Sequence, residues 1–143
     1  MQDIRWKQRF SGYTNILKLL ADSLKGKNLC EFSELEQIGL AKSFELCFEL
    51  LWNLLKDYLE EENIEIGLLS PKNILKVAAS KGLLDDMGVD GDVLMQAHKS
   101  RNELVHIYDH EKFVSALEEV NEKYLPQLIK VEIYFKERMN YAE

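Results

Sequence analysis

The chain has 143 residues, 46% hydrophobic and 30% charged, which is enough for one core of several packed elements and far from a disordered composition. Its formal charge of -7 excludes a broad basic surface for non-specific binding of nucleic acid, DNA included, so any such chemistry needs a local basic site. No apolar run approaches a membrane span, so no membrane partner is expected.

The opening MQDIRWKQRF is charged throughout and reads as no secretory signal, which makes a reducing cytoplasm the expected location. From Asp3 to about Lys25, Trp6, Phe10, Tyr13, Leu17, Leu20 and Leu24 follow a 4-3-4-3-4 spacing that lines one face of a helix. Gly26 suits the left-handed turn that ends it. Cys30 reads as a loop thiol and Cys47 as a small core residue; the pair has neither metal-site spacing nor the density of a disulfide scaffold.

Ser33-Glu34-Leu35-Glu36 is a capping box and opens a long second helix. Phe44, Phe48, Leu51, Leu55 and Tyr58 form one stripe, and Leu40, Cys47, Leu50 and Leu54 a second. This helix is therefore expected to be buried on two sides, one of them against a further helix or a second copy of the chain. Ser70-Pro71 is an N-cap with proline at the first helical position, starting a shorter helix that turns Ile74, Leu75 and Ala78 inward and ends near Gly82. A fourth helix runs from about Asp92 through Leu94, Ala97, Arg101 and Leu104. The fifth starts at Asp109 and continues through Phe113, Leu117, Val120, Tyr124, Leu128, Val131 and Phe135, with a bend expected at Pro126. Seven glycines and two prolines fall at the ends of periodic segments, and no strand alternation is evident. The expected fold is all-α: an antiparallel up-and-down four-helix bundle with an additional short helix, in one domain over residues 1–143.

Arg101 breaks the pattern. In the series Leu94, Ala97, Arg101, Leu104, Tyr108 it occupies a position that packing alone gives to leucine. A guanidinium cannot shed its charge and destabilises a core unless it is paired. The structural reading is an ion pair with a glutamate; the functional one is a site, since breaks in the binary pattern are where functional sites are most often found. His106 follows five residues later, about 140° around a continuous helix at ~100° per residue, so either the helix unwinds before it or the groups meet at an interface with another chain. His98 and His110 read as surface or helix-end residues, since imidazole favours the negative end of a helix dipole. Asp85-Asp86 and Glu60-Glu61-Glu62 read as solvated acidic runs with no histidine spaced to join them, so no metal site and no cofactor is expected. Lys72, Lys76 and Lys81 are too few to form a nucleic-acid surface, and no phosphate-binding glycine loop is present.

Residues 101–108, RNELVHIY, fit the pattern of arginine, four residues, histidine, one residue, tyrosine. Together with "DIRWKQRF", "FELLWNLLKDYLEE" and "SRNELVHIYD", this resembles the HEPN domains that work with minimal nucleotidyltransferases, specifically the nucleotidyltransferase substrate-binding proteins, over essentially the whole chain. The resemblance implies a homodimer with the arginine and histidine of both copies near one cleft. It further implies a metal-independent ribonuclease toxin acting on RNA, paired in a toxin–antitoxin system with a minimal nucleotidyltransferase that in some pairs transfers AMP to the motif tyrosine, here Tyr108. Arg101 would bind phosphate and stabilise the transition state, and His106 would serve as general acid or base. Asn102 would position the phosphate or hold His106. The alternatives are a non-catalytic nucleotide- or substrate-binding subunit of a nucleotidyltransferase, or a structural bundle in which Arg101 is only an ion pair.

Overall fold

A computed structural model describes residues 4–141. Asp3, the expected start of the first helix, lies outside them. Helix α1, Arg5–Leu24, buries all six residues of the expected stripe, from Trp6 to Leu24. Lys25 ends it, and Gly26 follows in the left-handed region at φ 74°. After a single 3-10 turn, Leu29–Glu31, the capping box opens α2, Glu34–Glu61. There the Glu36 amide donates to the Ser33 hydroxyl at 3.1 Å and the Ser33 amide donates to the Glu36 carboxylate at 2.8 Å. With two otherwise orphaned amides satisfied, the 28-residue helix begins cleanly.

Helix α1 packs most extensively along α2, and the last helix, α7 (Leu125–Tyr141), lies against α1. Phe44, Cys47, Phe48, Leu51, Leu54 and Leu55 of α2 are buried, while Leu50 and Tyr58, at the margins of their stripes, are half-buried. Trp6, Phe10 and Phe135 pack ring against ring between α1 and α7, with centroids 5.4 and 6.1 Å apart. Helix α3, Pro71–Ser80, begins as the Ser70-Pro71 pair requires, the Asn73 amide donating to the Ser70 hydroxyl at 3.2 Å.

A five-residue helix that periodicity did not predict, α4 (Leu83–Met87), turns Leu83, Leu84 and Met87 inward. It is bounded by Gly82 and Gly88 at φ 77° and 72°, positions that any Cβ would strain. Helix α5 spans Gly91–Leu104, starting within a residue of the expected Asp92, and its cap is Asp90, whose carboxylate accepts from the Asp92 and Val93 amides at 3.0 and 3.3 Å.

Helix α6, His110–Glu119, begins from Asp109 as expected, with the Lys112 amide donating to its carboxylate at 3.0 Å. It passes through a π turn, Val120–Tyr124, into α7, Leu125–Tyr141. The physical reason is Pro126. Its ring has no amide to donate and clashes in a regular helix, whereas a widened turn just before it accommodates the ring and keeps the helix going. The Leu125 amide accordingly reaches back five residues to the Val120 carbonyl. All seven helices contribute to one hydrophobic core, and among the described residues there is no strand. Among the described residues, no helix is long and apolar enough to cross a membrane.

Candidate functional site

The last turn of α5 carries Arg101 to the edge of that core. Leu94, Ala97 and Leu104 of its stripe are buried, but the Arg101 side chain keeps 27% of its exposure and turns its head toward α2. Its Nη2 donates to Glu49 Oε2 at 3.2 Å and stands 3.8 Å from Glu45 Oε1. Its Nη1 donates to Asn102 Oδ1 at 3.1 Å. Glu49 Oε2 also accepts from the Trp52 indole at 3.0 Å, which fixes the carboxylate that meets the guanidinium. Arg101 is thus not buried in place of a leucine: the stripe opens there onto two glutamates spaced one turn apart on α2. Its Nε is nevertheless buried without a hydrogen-bond partner among the described residues.

His98, one turn before Asn102, is half-buried inside α5, which corrects its reading as a surface or helix-end residue. Its ring stacks on the buried Phe48, with centroids 5.7 Å apart and planes 26° off parallel. Nε2 lies 3.4 Å from Asn102 Nδ2, and Nδ1 is buried without a hydrogen-bond partner among the described residues. Burial first, then the positive charges of Arg101 and Lys72, hold its pKa below the ordinary 6.5.

Helix α5 unwinds before His106, the first of the two possibilities left by the sequence. The His106 amide bonds the Glu103 carbonyl at 2.9 Å, and the chain leaves the spiral at Val105. His106 is exposed, Ile107 half-buried, and Tyr108 91% exposed, so Tyr108 stands on a turn rather than continuing the helical stripe. Among the described residues no hydrogen bond or ion pair joins His106 to Arg101. Within one chain, then, Arg101 and Asn102 are brought together, and His106 and Tyr108 stand in the adjoining turn.

Beside that turn is an open cavity of about 250 Å3, whose apolar wall is Ile38, Ile107 and Phe113 and whose polar rim includes Tyr108, His110 and Glu34. Leu35 and Ile38 extend this apolar surface along α2 at 78% and 58% exposure. His110 is the first residue of α6, with Nδ1 3.7 Å from Glu34 Oε1. It therefore sits at the positive end of a helix, opposite to the placement expected for it, and the neighbouring carboxylate offsets that polarity. Among the described residues, no group of three or more histidines, cysteines or carboxylates gathers as a metal site.

Sequence reasoning missed Glu45, Glu49 and His98. The two glutamates are one turn apart on α2 and His98 is one turn before Arg101, but what brings them to one place is the packing of α5 on α2, which helical spacing does not reveal.

The family model described as nucleotidyltransferase substrate binding protein like matches residues 8–137. The chain belongs to that family, whose name ties it to a nucleotidyltransferase. No curated protein matches it.

Proposed function

We propose that this member of the nucleotidyltransferase substrate binding protein like family works as a homodimer beside a minimal nucleotidyltransferase. In this reading it is a metal-independent ribonuclease toxin of the HEPN type, neutralised by AMP transfer to Tyr108. The observation that carries the reading is the end of α5 at Leu104, which lifts His106 and Tyr108 onto an exposed turn next to the helix that holds Arg101. The apolar surface of Ile38, Ile107 and Phe113 beside that turn is the face a second copy covers, bringing two such turns into one cleft.

In the cleft, the 2'-hydroxyl of RNA attacks the adjacent phosphorus and the bond to the 5'-oxygen breaks. One His106 imidazole takes the hydroxyl proton, and the imidazolium of the other copy protonates the leaving oxygen. Arg101 places its forked donors on the phosphate oxygens as charge builds there. To do so it exchanges Glu49 and Glu45 for phosphate. The exchange is cheap, because a partly exposed pair is worth about 0–1 kcal/mol. In silencing, the Tyr108 hydroxyl attacks the α-phosphorus of ATP, pyrophosphate leaves, and the phenolic proton passes to the nucleotidyltransferase. The added negative bulk two residues from His106 excludes RNA.

The Arg101 charge, already matched by two carboxylates, accords with a structural ion pair, while the family's name supports a second reading, a non-catalytic substrate-binding subunit. Incubation of unmodified wild type and His106→Ala with single-stranded RNA and a chelator separates the two. Cleavage that His106→Ala loses supports the ribonuclease; intact RNA in every sample favours the binding subunit. With the nucleotidyltransferase and ATP, a mass spectrum of the peptide containing Tyr108 is expected to gain one AMP, and an unchanged mass contradicts the silencing step.

A further inference from the structure

His98 has no part in the chemistry above, yet it completes a chain of contacts that ends on Arg101. Arg101 Nη1 donates to Asn102 Oδ1 at 3.1 Å, so the amide presents its Nδ2 to the other side, 3.4 Å from His98 Nε2. A nitrogen that meets an NH2 group has to accept, which requires a neutral imidazole with its proton on Nδ1. One face of the ring is backed by Phe48, itself 1% exposed, which favours this placement. We propose that His98 is a positioning residue: by fixing the orientation of the Asn102 amide it sets where the Arg101 guanidinium points.

The relay is binary. A protonated His98 carries N–H on both ring nitrogens and needs an acceptor from Asn102. The amide then turns its Oδ1 to the imidazole and its Nδ2 to Arg101, donor facing donor, and the guanidinium loses that partner. The charged groups around the ring are Arg101 on its own helix and Lys72 on α3, both of which oppose protonation. On α2, Glu45 and Glu49 are engaged with Arg101. Tyr124 of the π turn, bonded to Ser100 of α5, is kept neutral by its own burial and the nearby Glu119. At neutral pH the relay therefore rests in the state that holds Arg101, and mild acid releases it. The consequence for phosphate rests on the proposed role of Arg101; the coupling of the three side chains does not.

The test is side-chain NMR of 15N-labelled protein, from neutral to mildly acidic pH, on wild type, His98→Gln and His98→Phe. In wild type, His98 should read as the Nδ1–H tautomer at neutral pH. The Asn102 amide and Arg101 Nε–H signals should move together with its midpoint, below 6.5. Glutamine keeps a neutral acceptor, so in His98→Gln these signals should stay near their wild-type positions and lose that titration; in His98→Phe they should be displaced at every pH. Because His98→Gln removes one imidazole of three, a titration that survives in it belongs to His106 or His110 and overturns the proposal. So does an Nε2–H tautomer at neutral pH. Inorganic phosphate added at neutral pH should bind wild type and His98→Gln alike and His98→Phe several-fold more weakly. Equal binding by His98→Phe overturns the positioning role, whereas no binding by wild type overturns the role given to Arg101 while the titration still decides on His98.

Discussion

Arg9 and Arg101 both reach from a neighbouring helix to a carboxylate on α2, but the carboxylates differ. The Arg9 Nε donates to Asp57 Oδ2 at 2.7 Å, and the Asp57 side chain is wholly buried, with Lys56 3.5 Å from its other oxygen. Arg101 meets Glu49 and Glu45, which keep 45% and 25% of their side-chain exposure, at 3.2 and 3.8 Å. A buried carboxylate that loses its partner is left as an uncompensated charge, whereas an exposed one is rehydrated. The first pair is therefore committed to joining α1 to α2, and the second is free to change partners. Similar residue types in similar helical settings thus separate into a structural and an exchangeable pair by the solvent reach of the acid alone.

The comparison is sharpened first at its buried end. Arg9→Ala is expected to cost about 3 kcal/mol in urea unfolding, reduced from the top of the usual range by Lys56; a loss under about 1 kcal/mol would place Asp57 among the exchangeable acids. A neutral buried contact provides the scale. Tyr13→Phe removes the hydroxyl that donates to the Leu128 carbonyl at 2.6 Å between α1 and α7, and should cost about 1 kcal/mol in the same assay. The smallest loss of stability is expected for Arg101→Ala, within about 1 kcal/mol, because Glu49 keeps the Trp52 indole and water takes the vacated side.

Much of this was legible from periodicity and caps, which are local. The α1 stripe, the Ser33 box, the Ser70-Pro71 start and the Asp109 cap each depend on residues within a turn or two of one another, and each forms as read. Helix α4 was not legible, because five residues are too few to show a period. The π turn was signalled by Pro126 only as an expected bend; the widening itself depends on which carbonyl each amide finds. At the site, Arg101 stood out because it interrupts an apolar series. His98 did not, since its setting comes from Phe48 on another helix, and a lone histidine within α5 carries no mark of that contact. The placement of Tyr108 required knowing that α5 stops at Leu104, and helix ends are the least certain feature of a sequence reading.

The division between the two arginines is tested most directly by measuring urea unfolding and chelator-resistant RNA cleavage on the same preparations of wild type, Arg9→Ala and Arg101→Ala. The account predicts that Arg101→Ala keeps its stability within about 1 kcal/mol and loses cleavage by about 100-fold or more, while Arg9→Ala loses stability. Arg101→Ala protein that unfolds as readily as Arg9→Ala, or that stays folded and cleaves at the wild-type rate, would contradict it.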